Sequence, residues 1–171
     1  MKRPIIALVL LQLLTGNALA DFDFKGIRIG GETDRETIET TLGISCGKGT
    51  SKAAICSGKS TIGGERASTL IRIGSTGAVE RINVIFSEAT FDLIEPEFVK
   101  KFGKPKTSRS KVTSAGGASL ESVIHTWTSG EGAIISASKN TTTAGEASLM
   151  MNTKDDLESL RKSRESRKTD L

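Results

Sequence analysis

Short runs in which apolar and polar residues alternate fill much of the chain after residue 64, and turns containing glycine separate them. Alternation of this kind predicts half-buried strands. The segments that connect the first two runs, and those that connect the last three, are short and rich in Gly, Ser and Thr, so we expect a hairpin and then an antiparallel meander. In the second run Ile82, Val84 and Phe86 fall on one face and Arg81 and Asn83 on the other, which indicates a sheet covered on one face only. The runs are Thr69 to Ile73, Val79 to Phe86, Leu120 to Trp127, Ala133 to Ser138 and Ala147 to Met151.

Three segments have helical patterns. The first, Asp34 to Leu42, begins with a Thr-x-x-Glu capping box and stops at Gly43. The second has Pro96 in its first turn and stops at Gly103, and the third starts at Lys154 with acids early and bases late. The sequence therefore predicts an α+β fold: an antiparallel sheet of about five to six strands, two short helices packed on one face, and a C-terminal helix.

Two segments are less regular. Phe22 to Ile29 alternates on both sides of Gly26, which predicts one strand with a bulge. The residues from Lys104 to Gly117 are rich in Lys, Ser, Thr and Gly. That composition predicts a mobile loop with at most a short strand at Val112.

The N-terminal residues have the pattern of a secretory signal peptide. Basic Lys2 and Arg3 precede the apolar run Ile5 to Leu14, and an Ala-x-Ala sequence precedes Asp21. We expect a signal peptide at 1–20, a periplasmic or secreted mature chain, one α+β domain at 21–153, and a charged helix or tail at 154–171. The apolar run is too short to span a bilayer, and no cysteine follows the cleavage site, so neither a membrane span nor a lipid anchor is predicted.

Charge and aromatic content argue against nucleic acid as the partner. The formal charge of +4 falls to +2 when the two cations of the signal peptide, Lys2 and Arg3, are removed. The sequence has no tyrosine and one tryptophan, so it offers no series of aromatic platforms for stacking bases.

The two cysteines, Cys46 and Cys56, enclose a short Gly/Ser/Lys-rich segment. Exported proteins mature where disulfides form and persist, so we expect these residues to be bonded to each other. Closing about ten residues contributes roughly 3 kcal/mol in the chain-entropy model. A zinc site would need more ligands than the one histidine, His125, supplies, and the spacing is not Cys-x-x-Cys. No metal and no cofactor is predicted.

His125 and Trp127 are two residues apart and therefore lie on the same face of one predicted strand. A lone histidine in a strand is more often structural than catalytic. A hydrolase using His125 would need a nucleophile and an acid brought to it by the fold. Trp127 is a candidate interface anchor, because tryptophan is enriched at binding hot spots, and a core position is the alternative.

Two glycine pairs occur in the same short string, Ile-Gly-Gly-Glu: Gly30-Gly31 and Gly63-Gly64. Both fit turns that require a positive φ. The alternative is that the two pairs form neighbouring loops on one edge and contribute to a binding surface.

The predicted order of helix, glycine stop and strands occurs in both halves of the chain. The residues that carry this arrangement are Gly26, Ile27, Ile38, Leu42 and Gly43 in the first half, and Phe98, Phe102, Gly103 and Pro105 in the second. On these residues the arrangement resembles the fold family of the secreted β-lactamase inhibitor protein and the related small outer-membrane-assembly lipoproteins. Two features depart from that pattern: the lipobox cysteine is absent, and Ile44 stands where a proline usually follows the glycine stop.

The resemblance implies an exported, non-catalytic domain that binds another protein through its sheet face or loops. Such a domain acts as an inhibitor, an immunity-type factor or an accessory of envelope assembly, and the sequence does not rank these three. The alternative is a domain that binds a small molecule or glycan, or a weak hydrolase using His125. The sequence makes no prediction of oligomeric state.

Overall fold

The computed structural model describes residues 22–48 and 51–169, so the predicted signal peptide lies outside the described residues. The elements follow the chain in the order β1 (Asp23–Phe24), β2 (Ile27–Arg28), α1 (Arg35–Leu42), β3 (Ser45–Cys46), β4 (Ala54–Ile62), β5 (Glu65–Ile73), β6 (Val79–Ser87), α2 (Glu88–Phe102), β7 (Lys106–Thr113), β8 (Ser119–Thr128), β9 (Ile134–Lys139), β10 (Glu146–Asn152) and α3 (Lys154–Thr169).

The main sheet has eight strands in the order β3-β4-β5-β6-β10-β9-β8-β7, and every neighbouring pair is antiparallel. Strands β1 and β2 form a separate two-stranded sheet. The α+β class and the antiparallel sheet are confirmed, whereas the expected number of five to six strands is wrong.

The strands that the sequence did not predict lie near the edges of the sheet. The outermost strand, β7, occupies much of the expected loop between Lys104 and Gly117, and nearly all of its side chains are exposed. In strand β4, small polar residues around Gly58 interrupt the apolar pattern. An edge strand that buries neither face, such as β7, has no alternation of apolar and polar residues, so the sequence pattern did not predict it. At the N-terminus, Lys25 and Gly26 form a hairpin turn between β1 and β2 instead of a bulge.

One helix followed by four strands occurs twice, as α1 with β3 to β6 and as α2 with β7 to β10. The last strands of the two units, β6 and β10, pair antiparallel along seven residues in the middle of the sheet. The junction between the units is therefore a continuous strand pair at the centre of the domain, and we call it the seam.

Helices α1 and α2 pack on one face of the sheet and close the core. Ile38 and Leu42 supply the buried side of α1, and Phe91 and Ile94 supply that of α2. They contact alternate residues of the central strands, as the half-buried pattern predicts. The fully buried residues facing the helices include Ile71, Ile82, Val84, Ile135, Leu149 and Met151.

The starts of both helices differ from the sequence prediction. Helix α1 is capped by Asp34, whose carboxylate accepts from the Thr37 amide at 2.7 Å, so Thr33 is not the cap. Helix α2 begins at Glu88, eight residues before Pro96, because β6 leads directly into it through Ser87, which is its N-cap. The predicted start near Pro96 is therefore wrong, and this helix has 15 residues.

The predicted disulfide between Cys46 and Cys56 is confirmed. It joins residues that lie directly opposite each other on β3 and β4, and Cys56 is completely buried. The bond ties the short outer strand β3 to the sheet.

Candidate functional site

Helices α1 and α2 leave the opposite surface of the eight-stranded sheet largely uncovered, and we call this surface the open face. Its residues alternate along each strand with those of the core. On β6, for example, Ile82 and Val84 are fully buried against the helices, whereas Asn83 and Ile85 point to the open face. Many other side chains of this face are small and hydroxylated, and they include Ser68, Thr126, Ser136, Ser138 and Ser148.

Three large apolar side chains lie together on the open face at the seam. Leu70 on β5 and Met150 on β10 are the direct partners of Asn83 on the two sides of β6. Ile85 lies two residues further along β6, in diagonal contact range of both. Each is more than a third exposed: 36% for Leu70, 39% for Ile85 and 37% for Met150. We call this group, with Asn83 at its centre, the seam cluster.

Asn83 has an unusual environment for an amide side chain. Its Oδ1 is shielded from solvent and has no hydrogen-bond partner among the described residues. Buried polar atoms in native proteins nearly always have a partner, so such an atom requires an explanation. A donor supplied from outside the chain, together with a small rotation of the amide, would satisfy it.

One end of the open face is bordered by α3. The Asp156 carboxylate, which is fully buried, accepts from Arg81 Nη2 at 2.8 Å and from Asn152 Nδ2 at 2.7 Å. Arg72 approaches the same carboxylate at 3.5 Å. These partners all belong to the open face, so the first turn of α3 lies on the face opposite α1 and α2. Helix α3 extends to Thr169, so the predicted charged segment after residue 153 is a helix over most of its length.

Trp127 lies in the core, with 5% of its surface exposed. Its Nε1 donates to the Gly103 carbonyl at 2.7 Å, and its ring packs edge-on against Phe98 and Phe102. In this structure Trp127 joins β8 to the end of α2 and does not reach the surface as an interface anchor would.

His125 is also buried, and both of its ring nitrogens have partners. Nε2 lies 2.7 Å from Glu95 Oε1 on α2, and Nδ1 lies 2.8 Å from the Thr107 hydroxyl on β7. The ring stacks on Phe91 with 5.9 Å between centroids. The order of acid, imidazole and hydroxyl is that of a hydrolytic triad, but here the three groups hold α2 and the edge strand to β8.

A second polar link joins α2 to the sheet. Lys139 Nζ on β9 donates to Asp92 Oδ1 at 2.6 Å and lies over the Phe91 ring. The hydrogen bond to Asp92 raises the pKa of Lys139 above its usual value, since it favours the charged form.

The two glycine pairs do not lie together. Gly30 and Gly31 exchange backbone hydrogen bonds with Val79, beside the end of β5. Gly63 and Gly64 form the two-residue turn between β4 and β5, at the start of β5. The nine residues of β5 separate the pairs, so they do not form neighbouring loops on one edge.

The described residues hold no group of three or more His, Cys, Asp or Glu side chains arranged for a metal ion. Within the same residues, no helix is long and apolar enough to cross a membrane.

Comparisons of the chain with protein-family models, with curated proteins and with solved structures found no match. The fold and its surfaces define an α+β protein with a half-covered antiparallel sheet. The seam cluster is a surface feature that the sequence did not predict. Leu70 and Ile85 belong to two consecutive strands whose pairing the sequence predicts, but nothing in the sequence places the strand of Met150 beside them.

Proposed function

We propose that this chain is an exported protein-binding domain that holds another protein on the open face, with the seam cluster at the centre of the interface. The exposure of Leu70, Ile85 and Met150 side by side is the observation that carries the proposal. Contiguous apolar surface surrounded by polar residues is typical of protein interaction sites.

The composition of the open face supports a protein as the occupant. An interface has an apolar centre and a polar rim, and hydroxyl groups of Ser and Thr surround the seam cluster. The seam cluster lies on a broad surface rather than inside a deep cavity, which suits a protein better than a small molecule or glycan. A backbone or side-chain donor from the partner would also satisfy Asn83 Oδ1.

Export is supported by the disulfide and by the signal-peptide pattern at 1–20. The resemblance to the β-lactamase inhibitor protein family agrees with a binding role through a sheet. The three roles of inhibitor, immunity-type factor and envelope-assembly accessory share this mode of action, and the identity of the partner decides among them.

The hydrolase alternative has less support. Both nitrogens of His125 have partners on other structural elements, and the residue is 3% exposed. We therefore assign His125 a structural role.

The test is affinity capture of tagged mature protein, Asp21 to Leu171, from its native envelope under oxidising conditions. Bound proteins are identified for the wild type, for a Leu70→Asp, Met150→Asp variant, and for Leu93→Asp. Leu93 is a matched control, because it is an exposed apolar residue on α2, away from the open face.

The proposal expects one stoichiometric protein that the double variant loses and the Leu93→Asp control retains. Retention by both variants would contradict it, as would a homodimer of the mature chain that the double variant dissociates. Near-ultraviolet circular dichroism verifies that each variant is folded.

A further inference from the structure

Strands β5 and β6 separate at one end, and a large cavity opens between them. Their pairing stops at Ser68 and Ile85, although β5 begins three residues earlier and β6 continues for two residues. Beyond that point β6 remains paired only with β10, through Phe86 and Ser87. The cavity has a volume of about 1000 Å³. Ser68 and Ile85 line it and also belong to the open face, so the cavity is continuous with that face.

Three cations from three different elements line this cavity: Lys25 from the β1–β2 turn, Lys59 from β4 and Arg66 from β5. Among the described residues none of them forms an ion pair with a carboxylate. Lys25 Nζ donates to the Thr61 hydroxyl at 2.9 Å, and Lys59 Nζ donates to Ser68 at 2.7 Å. One acid, Glu146, also lines the cavity, so the lining has an excess of positive charge.

The backbone of Lys25 supports a role for this cluster. Its φ is +51°, a left-handed conformation that is uncommon for a residue with a side chain. Turns of this kind favour asparagine, aspartate or glycine at this position. A lysine here has a conformational cost, and its ammonium group donates to Thr61 at the cavity. Strained residues of this kind are concentrated at functional sites.

We propose that this cavity binds an acidic segment of the protein partner that occupies the open face. The inference rests on the proposed function and names the chemistry of the partner. The volume lies at the upper end of the range for ligand pockets, which is much more than one small anion fills. The three cations come from separate elements, and such an arrangement suits several carboxylates along a peptide.

The test is an NMR titration of ¹⁵N-labelled mature protein with N-acetyl-hexaglutamate amide, with hexaglutamine and inorganic phosphate as comparison ligands. We expect saturable amide shifts confined to the cavity lining, and weaker binding as salt rises, since charges are screened. A Lys59→Ala, Arg66→Ala variant should bind the glutamate peptide at least tenfold more weakly. A Lys106→Ala, Lys111→Ala variant removes two exposed cations of β7 and should change the affinity by less than twofold.

Shifts that do not saturate, or that spread over the surface without a focus on the cavity, would overturn the proposal. An equal loss of affinity in the β7 control would do the same, because it would indicate non-specific attraction. Phosphate binding as tight as that of the peptide would assign the cavity to a small anion instead. Of the seam cluster only Ile85 also lines the cavity, and the capture variants leave Ile85 unchanged. The capture experiment with Leu70→Asp, Met150→Asp can therefore fail without affecting the titration result.

Discussion

Asp156 on α3 accepts two hydrogen bonds from Arg81 on β6, at 2.9 Å from Nε and 2.8 Å from Nη2. The carboxylate is fully buried, whereas 22% of the arginine side chain is exposed. Asn152 and Arg72 complete the surroundings of the carboxylate. These hydrogen bonds attach the C-terminal helix to the open face. The rest of the helix is highly charged and mostly exposed.

Replacing Asp156 with alanine should therefore lower the free energy of unfolding substantially. Removing one member of a buried ion pair leaves the opposite charge without a partner, and this typically lowers the free energy of unfolding by about 3 kcal/mol. Urea unfolding of the mature protein measures the change. The neighbouring acid Asp155 is exposed, so Asp155→Ala should cost no more than about 0.5 kcal/mol. Equal effects of the two substitutions would show that the buried contacts contribute little.

The disulfide should contribute measurably to stability. A Cys46→Ala, Cys56→Ala variant loses the covalent tie between β3 and β4, and we expect about 3 kcal/mol less stability. Urea unfolding monitored by the fluorescence of Trp127 reports the change, since this is the one tryptophan and it is buried. Wild-type protein under reducing conditions should unfold like the variant. If a reductant also lowered the stability of the variant, which lacks both cysteines, the effect of reduction could not be assigned to the disulfide.

Gly63 should tolerate substitution less well than Gly64. Both have positive φ values, +57° and +84°, so an alanine at either position is strained. At Gly63 a Cβ would also lie 2.6 Å from the Ile94 Cγ2 on α2, whereas at Gly64 no atom lies within 4 Å. We expect Gly63→Ala to lower the free energy of unfolding by about 2 kcal/mol, and Gly64→Ala to lower it by about half of that. Thermal unfolding of the two variants measures this difference, and equal melting temperatures would contradict the contact with α2.

The pKa of Asp34 should be lower than 3.8, because its carboxylate accepts a hydrogen bond from the Thr37 amide at the start of α1. A lowered native pKa means that this contribution to stability is present above about pH 3.8 and is lost as the pH falls through the native value. Carbon-detected NMR of the carboxyl group measures the native pKa directly.

Asp34→Asn is the matched variant for that titration. Its amide oxygen still accepts from Thr37, but it does not titrate, so the acid-dependent weakening of α1 should disappear. An Asp34 pKa at or above 3.8 would mean that the cap is not formed in solution.

The sequence predicted the centre of the fold because the central strands are buried on one face only. On β6 the buried Ile82, Val84 and Phe86 occupy every second position, and that period is a direct consequence of burial on one side. The edge strand β7 has no buried face, so its pattern resembled that of a loop. The start of α2 was missed because Ser87 ends β6 and caps the helix at once, without an intervening turn.

The seam cluster could not be predicted from the sequence, for a different reason. Leu70 and Ile85 belong to consecutive strands, but Met150 reaches them only because β10 pairs with β6, more than 60 residues earlier in the chain. No local pattern specifies that long-range pairing. The end of the pairing between β5 and β6 is likewise not specified by a local pattern, and Lys59 and Arg66 line the cavity that lies there.

The exposed strand β7 also has a consequence for assembly. A sheet with a free edge can pair with the edge strand of another molecule, which is a route to aggregation. Strand β7 presents the exposed side chains of Lys106 and Lys111 along this edge. Charged side chains on an edge strand, lysine in particular, oppose such pairing. The polar and charged composition that hid this strand from a pattern-based prediction therefore also protects the protein from pairing through its own sheet.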